Sequence, residues 1–164
     1  MDSSKKKSIS YTQVSMYNEC PFKWKLNYID GLREFKGNIH TLFGSAMHEV
    51  LQTYLDVMYA RSIKAADELP LDKLLKARMT EQFNNMHEFG TKDLLVTKED
   101  MDEFYNDGLL ILDFFKKRRA EYFSNRGYKL LGCEVALDYD IPKNLRFVGY
   151  LDIVIHDTVR DVIQ

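Results

Sequence analysis

Two carboxylates in the last quarter of the chain, Glu134 and Asp152, lie in segments that a tight turn could bring together. If the turn is centred on Lys143, Asp140 faces Arg146 and Glu134 falls directly opposite Asp152 on the same face. Directly opposed residues of an antiparallel pair have Cβ atoms about 4.5–5.5 Å apart, and like charges at that distance repel unless a cation lies between them. Carboxylate oxygens are ligands that suit Mg²⁺ or Mn²⁺. The spacing therefore allows a divalent-metal site, and a pairing of Asp152 with Arg146 or with a helix cation is the structural alternative.

The residues around Asp152 make it the more unusual of the two carboxylates. It interrupts the apolar run Tyr150–Ile155, which is typical of a strand buried on both faces. A carboxylate in such a strand is costly unless it is paired or coordinates a metal. The sequence therefore predicts a buried Asp152 with a cationic partner, and a position at an exposed strand end is the alternative.

His48 is the third residue whose side chain could do chemistry. At about 100° per residue it lies at the edge of an apolar helical stripe, beside Leu51 and Leu55 and next to the polar Gln52. An imidazole in that place could reach over the edge of a sheet. A half-buried histidine with a backbone partner is the alternative.

The elements that position these residues are helices first and strands second. Residues 1–9 have the composition of a flexible, solvated tail, and residues 10–125 are predicted to be mostly helical. After Gly127 the apolar period changes from 3.6 to 2, which predicts strands over residues 128–164. The fold class is therefore α/β or α+β, with an antiparallel hairpin. The predicted helices are Tyr11–Glu19 capped by Ser10, Phe22–Tyr28 after Pro21, Thr41–Lys64, one after Pro70, and Lys98–Asn125. The last of these is predicted to turn Phe104, Leu112, Phe115 and Tyr122 inward. A loop is predicted over His87–Thr97, and strands are predicted over Leu131–Tyr139, Leu145–His156 and Val159–Gln164.

The composition excludes several classes of protein. The 164 residues are 45% hydrophobic and 29% charged, which is typical of a globular domain. No apolar run approaches the roughly 20 residues that cross a bilayer. Cys20 and Cys133 lack the spacing of a zinc site or a disulfide framework, and two unpaired thiols suit a reducing cytosol. A net charge of −2 provides no overall attraction to nucleic acid, so DNA binding would depend on local basic patches or bound metal.

Two further groups have an ordinary structural interpretation beside a functional one. The basic run Lys116, Lys117, Arg118 and Arg119 could contact phosphates, although such runs are usually a solvated helix face. The aromatic residues Tyr17, Phe22, Trp24 and Tyr28 could stack on bases. Packing between helices is the interpretation that we favour for these aromatic residues.

Four segments together resemble the RecB-like exonuclease branch of the PD-(D/E)xK nuclease superfamily. Their sequences are most similar to those of bacteriophage members. Each segment alone is a weak signal, and their order and spacing make the resemblance specific over nearly the whole chain. The segments are Ser10–Tyr17 leading to Cys20-Pro21, Trp24–Ile29 with Gly31-Leu32, Phe43–Glu49, and Val148–Asp152.

The resemblance implies a restriction-endonuclease-like core, in which a helix and an antiparallel hairpin enter a mixed sheet, and residues 10–164 as the nuclease domain. It implies a metal-dependent DNA nuclease, an exonuclease in this branch, that uses Mg²⁺ or Mn²⁺. Family positions that bind metal and serve catalysis map onto His48, Glu134 and Asp152. DNA is the implied partner, with a helicase or recombination partner left open. The implied location is the cytoplasm, which for a phage-encoded protein is that of the host.

The sequence departs from the family pattern after Asp152. An acid-x-Lys motif on the next strand completes the family's site, and no Asp-x-Lys or Glu-x-Lys follows Asp152. We therefore expect an incomplete nuclease domain that is inactive as it stands. A non-catalytic DNA- or protein-binding module with a nuclease-like shell is the alternative. Iron–sulfur members of the branch place three more cysteines after that motif; these are missing here, which argues against a cluster and for Cys20 as a small core residue.

Overall fold

The computed structural model describes residues 7–32, 37–88, 96–142 and 144–164, which form six helices and a mixed sheet of four strands. The chain divides into two compact units. The strand unit comprises Met1–Glu34, Leu131–Ile155 and Ile163–Gln164, and the helical unit comprises Phe35–Leu130 and His156–Val162. No helix in the described ranges is long and apolar enough to span a membrane.

The sheet confirms the predicted hairpin and adds a strand before it. Its strands are β1 (Lys7–Ser10), β2 (Tyr128–Ile141), β3 (Leu145–Asp157) and β4 (Val162–Ile163). They are arranged in the order β1-β3-β2, with β4 also paired to β3. The short turn between β2 and β3 makes that pair antiparallel, whereas β1 runs parallel to β3. The mixed α/β architecture is that of a restriction-endonuclease-like fold.

Strand β1 corrects the prediction of a solvated tail over residues 1–9. Residues 7–10 pair in parallel with β3, and Ser10 is the register partner of Val148. A four-residue strand is too short to show a period in the sequence, and its partner lies at the other end of the chain. Residues 1–6 lie outside the described ranges.

Two short helices follow β1, as predicted. Helix α1 (Tyr11–Glu19) begins at Ser10, whose hydroxyl accepts a hydrogen bond from the Gln13 amide at 3.3 Å. Helix α2 (Pro21–Tyr28) begins with proline, and the Cys20 sulfur accepts from the Lys23 amide at 3.4 Å. An N-cap acceptor satisfies one of the free amides of the first turn.

The aromatic residues of α1 and α2 pack between the two helices, as favoured from the sequence, but at the surface and not in a buried core. No described residue of either helix is buried, and the side chains of Tyr17 and Phe22 are 51% and 66% exposed. Tyr17 packs edge-on against Trp24 at 5.5 Å between ring centroids. Two-turn helices without a continuous apolar stripe have no face to bury, so these rings contact each other at the surface.

The helical unit contains α3 (Ile39–Ala60), α4 (Ile63–Asp67), α5 (Leu71–Glu88) and α6 (Lys98–Tyr122). Its largest fully buried side chains lie on α3 and α5, and each contributes about 1.5–3 kcal/mol through burial. They are Leu42, Val50, Tyr54, Leu55, Leu75 and Met79. The predicted helix Thr41–Lys64 ends earlier, at Ala60, because Ser62 caps a separate helix by accepting from the Ala65 amide at 3.1 Å.

Helix α6 packs closely against α3 and α5 at one glycine. A Cβ added to Gly108 would lie 2.5 Å from Leu75 Cδ2 and 3.0 Å from Phe43 Cε2, so a larger residue has no room there. Of the residues predicted to face inward, Leu112 is buried and Phe115 contacts the Tyr54 ring edge-on at 5.3 Å.

The inward prediction is wrong for Tyr122, whose side chain is 60% exposed in the last turn of α6. The predicted loop His87–Thr97 is shorter than expected at its start, because α5 continues to Glu88. Residues 89–95 lie outside the described ranges.

Candidate functional site

Asp152 lies in the middle of β3, and its surroundings differ from the prediction. Tyr150 and Leu151 are 69% and 41% exposed, and Asp152 itself is exposed. Only the end of the run is buried, at Val154 and Ile155. The expectation of a strand buried on both faces around Asp152 is therefore wrong, and an exposed carboxylate here is accessible to a ligand from solution.

Glu134 occupies an irregular point of β2. Its φ of 52° lies in the left-handed region, which non-glycine residues rarely adopt. A Cβ on Gly132 would lie 2.9 Å from Val135 Cγ2, although residues three apart point to opposite faces in a regular strand. The alternation of side chains thus shifts by one residue at Glu134, as in a β-bulge, and bulges next to active sites re-aim a side chain.

The strand unit brings the two predicted carboxylates together. One carboxylate oxygen of Glu134 and one of Asp152 lie within 4.8 Å of each other, and both side chains are exposed. Two negative charges at this distance repel, whereas a divalent cation between them would be attracted by both. The pair therefore fits the chemistry of a divalent-metal site.

The charge pair near the turn includes Asp138 beside the predicted partner Asp140. Arg146 donates from Nε and Nη2 to the two carboxylate oxygens of Asp138, two residues from the predicted partner Asp140. These hydrogen bonds, with the negative charge of Asp138, raise the pKa of the Arg146 guanidinium, and the charge of Asp140 adds to the same shift. A long side chain reaches a diagonal neighbour on the same face of a hairpin as readily as a direct one.

His48 lies on α3, as predicted, in the helical unit. Its ring is half-buried, and the amide nitrogen of Gln52, one turn later, lies 3.4 Å from Nδ1 and 3.4 Å from Nε2. The next residue, Glu49, is held by Arg78 Nε at 3.1 Å and by Gln82 Nε2 at 2.8 Å. This turn of α3 therefore has ordered polar side chains beside His48, and a role of His48 as a ligand remains a prediction.

The basic run on α6 takes part in local ion pairs. Lys117 bonds Asp113 at 2.6 Å, Arg118 bonds Glu121 at 2.6 Å, and Arg119 bonds Asp67 at 2.9 Å. Lys116 donates to the backbone carbonyl of Asp67 at 3.3 Å. Phosphate contact by these four residues stays a prediction that would require them to exchange these partners.

Both cysteines are half-buried, and neither forms a disulfide bond. The sulfur of Cys20 caps α2, which is a structural role that the sequence did not predict.

The sequence interpretation missed a groove in the strand unit. It encloses about 640 Å³ between the start of α1 and the β2–β3 hairpin. Counting by two from Asp152 along β3 gives Tyr150, Val148 and Arg146, and all three line it. The period-two alternation of β3 therefore predicts that these residues share one face, but it does not predict that this face is exposed. The lining residues are Ser10, Tyr11, Thr12, Ala136, Leu137, Asp138, Arg146, Val148, Gly149 and Tyr150.

Comparison with known proteins identifies the family. The family model of the PD-(D/E)XK nuclease superfamily matches residues 8–163, which is almost the entire chain and includes both carboxylates. No curated protein and no solved structure matches the chain. With the mixed α/β fold and the paired carboxylates on its hairpin, this match shows that the chain belongs to the PD-(D/E)XK nuclease superfamily.

Proposed function

We propose that this chain is a metal-dependent deoxyribonuclease domain whose divalent ion is held by His48, Glu134 and Asp152. The observation that carries the proposal is the approach of Glu134 and Asp152 to within 4.8 Å, with Glu134 aimed by a left-handed backbone conformation. Strained backbone is found at functional sites, where the surrounding structure maintains it. An imidazole nitrogen with two carboxylate oxygens is a donor set whose chemistry suits one divalent ion.

In this proposal each side chain has a distinct task. The two carboxylates supply the negative charge that attracts the cation, and His48 supplies a neutral nitrogen ligand. When bound, a divalent ion polarises the scissile phosphate and lowers the pKa of the attacking water. The exposure of Glu134 and Asp152 leaves room for a phosphate beside them.

The finer assignment is to the RecB-like branch, with exonuclease activity on DNA and Mg²⁺ or Mn²⁺ as the ion. It is supported by the four segments of the resemblance, from Ser10–Tyr17 to Val148–Asp152. It is also supported by the oxygen-rich donor set, because carboxylates prefer hard cations. A bacteriophage origin is supported by the amino-acid sequences of the same segments.

We propose further that these 164 residues bind the ion but hydrolyse DNA slowly or not at all. The reason is that no acid-x-Lys follows Asp152, so the carboxylate and lysine that complete the family's site are not among these residues. The second candidate function is a non-catalytic DNA- or protein-binding module that keeps the nuclease shell. The two candidates differ in whether the carboxylates bind a divalent ion.

The experiment is a titration of Mn²⁺ followed by electron paramagnetic resonance, in which bound Mn²⁺ loses the signal of the free ion. We expect saturable binding by the native chain and at least ten-fold weaker binding by Asp152→Asn and Glu134→Gln. Asp140→Asn is the matched control, because it removes a carboxylate from the same hairpin. If the native chain and the Asp152 and Glu134 variants bind Mn²⁺ equally, the metal-site proposal is wrong and the binding-module function replaces it.

Activity has its own test. Linear duplex and single-stranded DNA are incubated with the protein and Mg²⁺ or Mn²⁺ at matched salt, since phosphate binding depends strongly on salt. In a chain that continues past Gln164 with an acid-x-Lys motif, we expect cleavage that stops on chelation and falls by orders of magnitude in Asp152→Ala. If that longer chain is inert on every DNA tested, the nuclease proposal fails.

A further inference from the structure

We infer that the groove between α1 and the β2–β3 hairpin binds single-stranded DNA by stacking bases on Tyr11 and Tyr150, next to the carboxylates of the candidate metal site. This inference rests on the proposed function and names its substrate class. It depends on the strand unit alone, in which every lining residue of the groove lies.

The first step is the position of the groove on the sheet. Arg146, Val148 and Tyr150 line it and alternate along β3, so they share one face of that strand. Asp152 continues the same alternation and lies about 7 Å from Tyr150 along the strand, at roughly 3.3 Å per residue. A chain lying in the groove would therefore be adjacent to the carboxylate pair.

The second step is the chemistry of the walls. Tyr11 is 75% exposed and Tyr150 is 69% exposed, so two large aromatic rings face solvent at the groove instead of packing in a core. Ser10 and Thr12 add hydroxyl groups. Exposed aromatic rings are the part of single-strand-binding sites on which unpaired bases stack, since every base has a face that a ring can cover.

The third step is size. A volume of about 640 Å³ falls within the range of about 300–1,000 Å³ that is usual for sites of small molecules. The groove can therefore take a nucleotide or two, but not the width of a duplex. In duplex DNA each base face is covered by its neighbours, so a duplex would offer the tyrosines only its backbone.

The fourth step is charge, which decides how the affinity should respond to salt. The one cationic side chain that lines the groove among the described residues, Arg146, is already paired with Asp138. The walls therefore carry no net charge, and few counterions would be released on binding. We expect a shallow dependence of affinity on salt, in contrast to a site built on lysine and arginine contacts to phosphates.

The test is binding of a fluorescein-labelled oligothymidylate of about 12 nucleotides, a length within the range covered by single-strand-binding folds. Fluorescence anisotropy is followed in the presence of a chelator, so that neither cleavage nor a metal contributes. The single strand should bind more tightly than a duplex of the same length. Tyr11→Ala and Tyr150→Ala should each weaken binding about ten-fold, the effect of losing one stacked base, and the Phe variants should keep it.

Tyr139→Ala is the matched control, because Tyr139 is 71% exposed on the same hairpin and does not line the groove. Its affinity should equal that of the native chain. Equal binding of single strand and duplex, equal losses in all three alanine variants, or tighter binding of an oligouridylate would each overturn the inference. The chelator separates this result from the metal proposal: groove binding without Mn²⁺ binding would refute the nuclease alone, and the reverse would refute the groove alone.

Discussion

The hydroxyl of Tyr54 donates a hydrogen bond of 2.7 Å to Oδ1 of Asp67, and Arg119 contacts the other carboxylate oxygen at 2.9 Å. This links α3, the short helix α4 and α6 through one carboxylate. Tyr54 is fully buried, and burial together with the hydrogen bond to Asp67 raises the pKa of its phenol well above the usual range. The raised pKa keeps the phenol protonated, and so a donor to Asp67, further into the alkaline range than an ordinary tyrosine.

Replacing Tyr54 by Phe should destabilise the helical unit. The change keeps the ring and removes one hydrogen bond to a charged acceptor, which is worth about 1.5–3 kcal/mol. Urea unfolding followed by circular dichroism would measure the loss. Tyr122→Phe, at an exposed tyrosine of α6, is the control and should change stability by less than about 0.5 kcal/mol. Equal effects of the two variants would contradict a role for the Asp67 contact.

Replacing Glu134 by Gly should affect the stability of the folded protein and its Mn²⁺ binding in different ways. Glycine adopts a φ of 52° without steric cost, so the folded protein should keep or gain stability, by up to about 1 kcal/mol. The same change removes one carboxylate of the proposed site. We therefore expect an unchanged or higher midpoint of urea unfolding together with weaker Mn²⁺ binding. A loss of stability of about 2 kcal/mol or more would show that the Glu134 side chain has a structural role instead.

Two helical glycines should respond in opposite directions. Gly108→Val would force a methyl group into Leu75, which is fully buried, and should cost about 1–3 kcal/mol through overpacking. At Gly44 a Cβ would meet nothing within 4 Å among the described atoms. Gly44→Ala should therefore stabilise α3 by about 0.5–1 kcal/mol, the usual gain from replacing a helical glycine. Thermal unfolding would detect both shifts, and a destabilised Gly44→Ala would show that another group fills this space.

Acid should weaken the start of α6. Asp100 accepts hydrogen bonds from the backbone amide and the hydroxyl of Thr97, and these bonds lower the pKa of its carboxyl group. A folded-state pKa below that of the unfolded chain means that this stabilisation is present above about pH 4 and is lost as the pH falls through the lower, folded value. Urea unfolding of the native protein and of Asp100→Asn should show a difference at neutral pH that shrinks in acid. A difference independent of pH would contradict this origin.

The sequence predicted the helices best where caps and apolar stripes agreed. Ser10 and Pro21 marked the starts of α1 and α2 correctly, and the stripe containing Val50 and Tyr54 identified α3 as a core helix. The early end of α3 was missed because Ser62 can start a new helix as readily as it can lie within one. Only packing of the four-helix unit decides between these two outcomes.

The candidate site could be predicted in part. Pairing of Glu134 with Asp152 followed from the turn and the period-two pattern, and their carboxylates do lie close together. The exposure of Asp152 was not predictable, because an apolar run such as Tyr150–Ile155 has the same pattern whether or not another layer covers it. The left-handed conformation of Glu134 was also hidden, since a bulge depends on the partner strand and leaves no consistent mark in the sequence.

Strand β1 has a consequence for the order in which the chain folds. Its partners on β3, Leu145–Val148, leave the ribosome long after Lys7–Ser10, by roughly ten seconds or more at usual rates of synthesis. Until the hairpin exists, the backbone donors and acceptors of β1 have no strand to pair with, and closing so long a loop has a large entropic cost. We therefore expect the parallel β1–β3 ladder to be a late event of folding. The helices, whose backbone hydrogen bonds are local, should form before it.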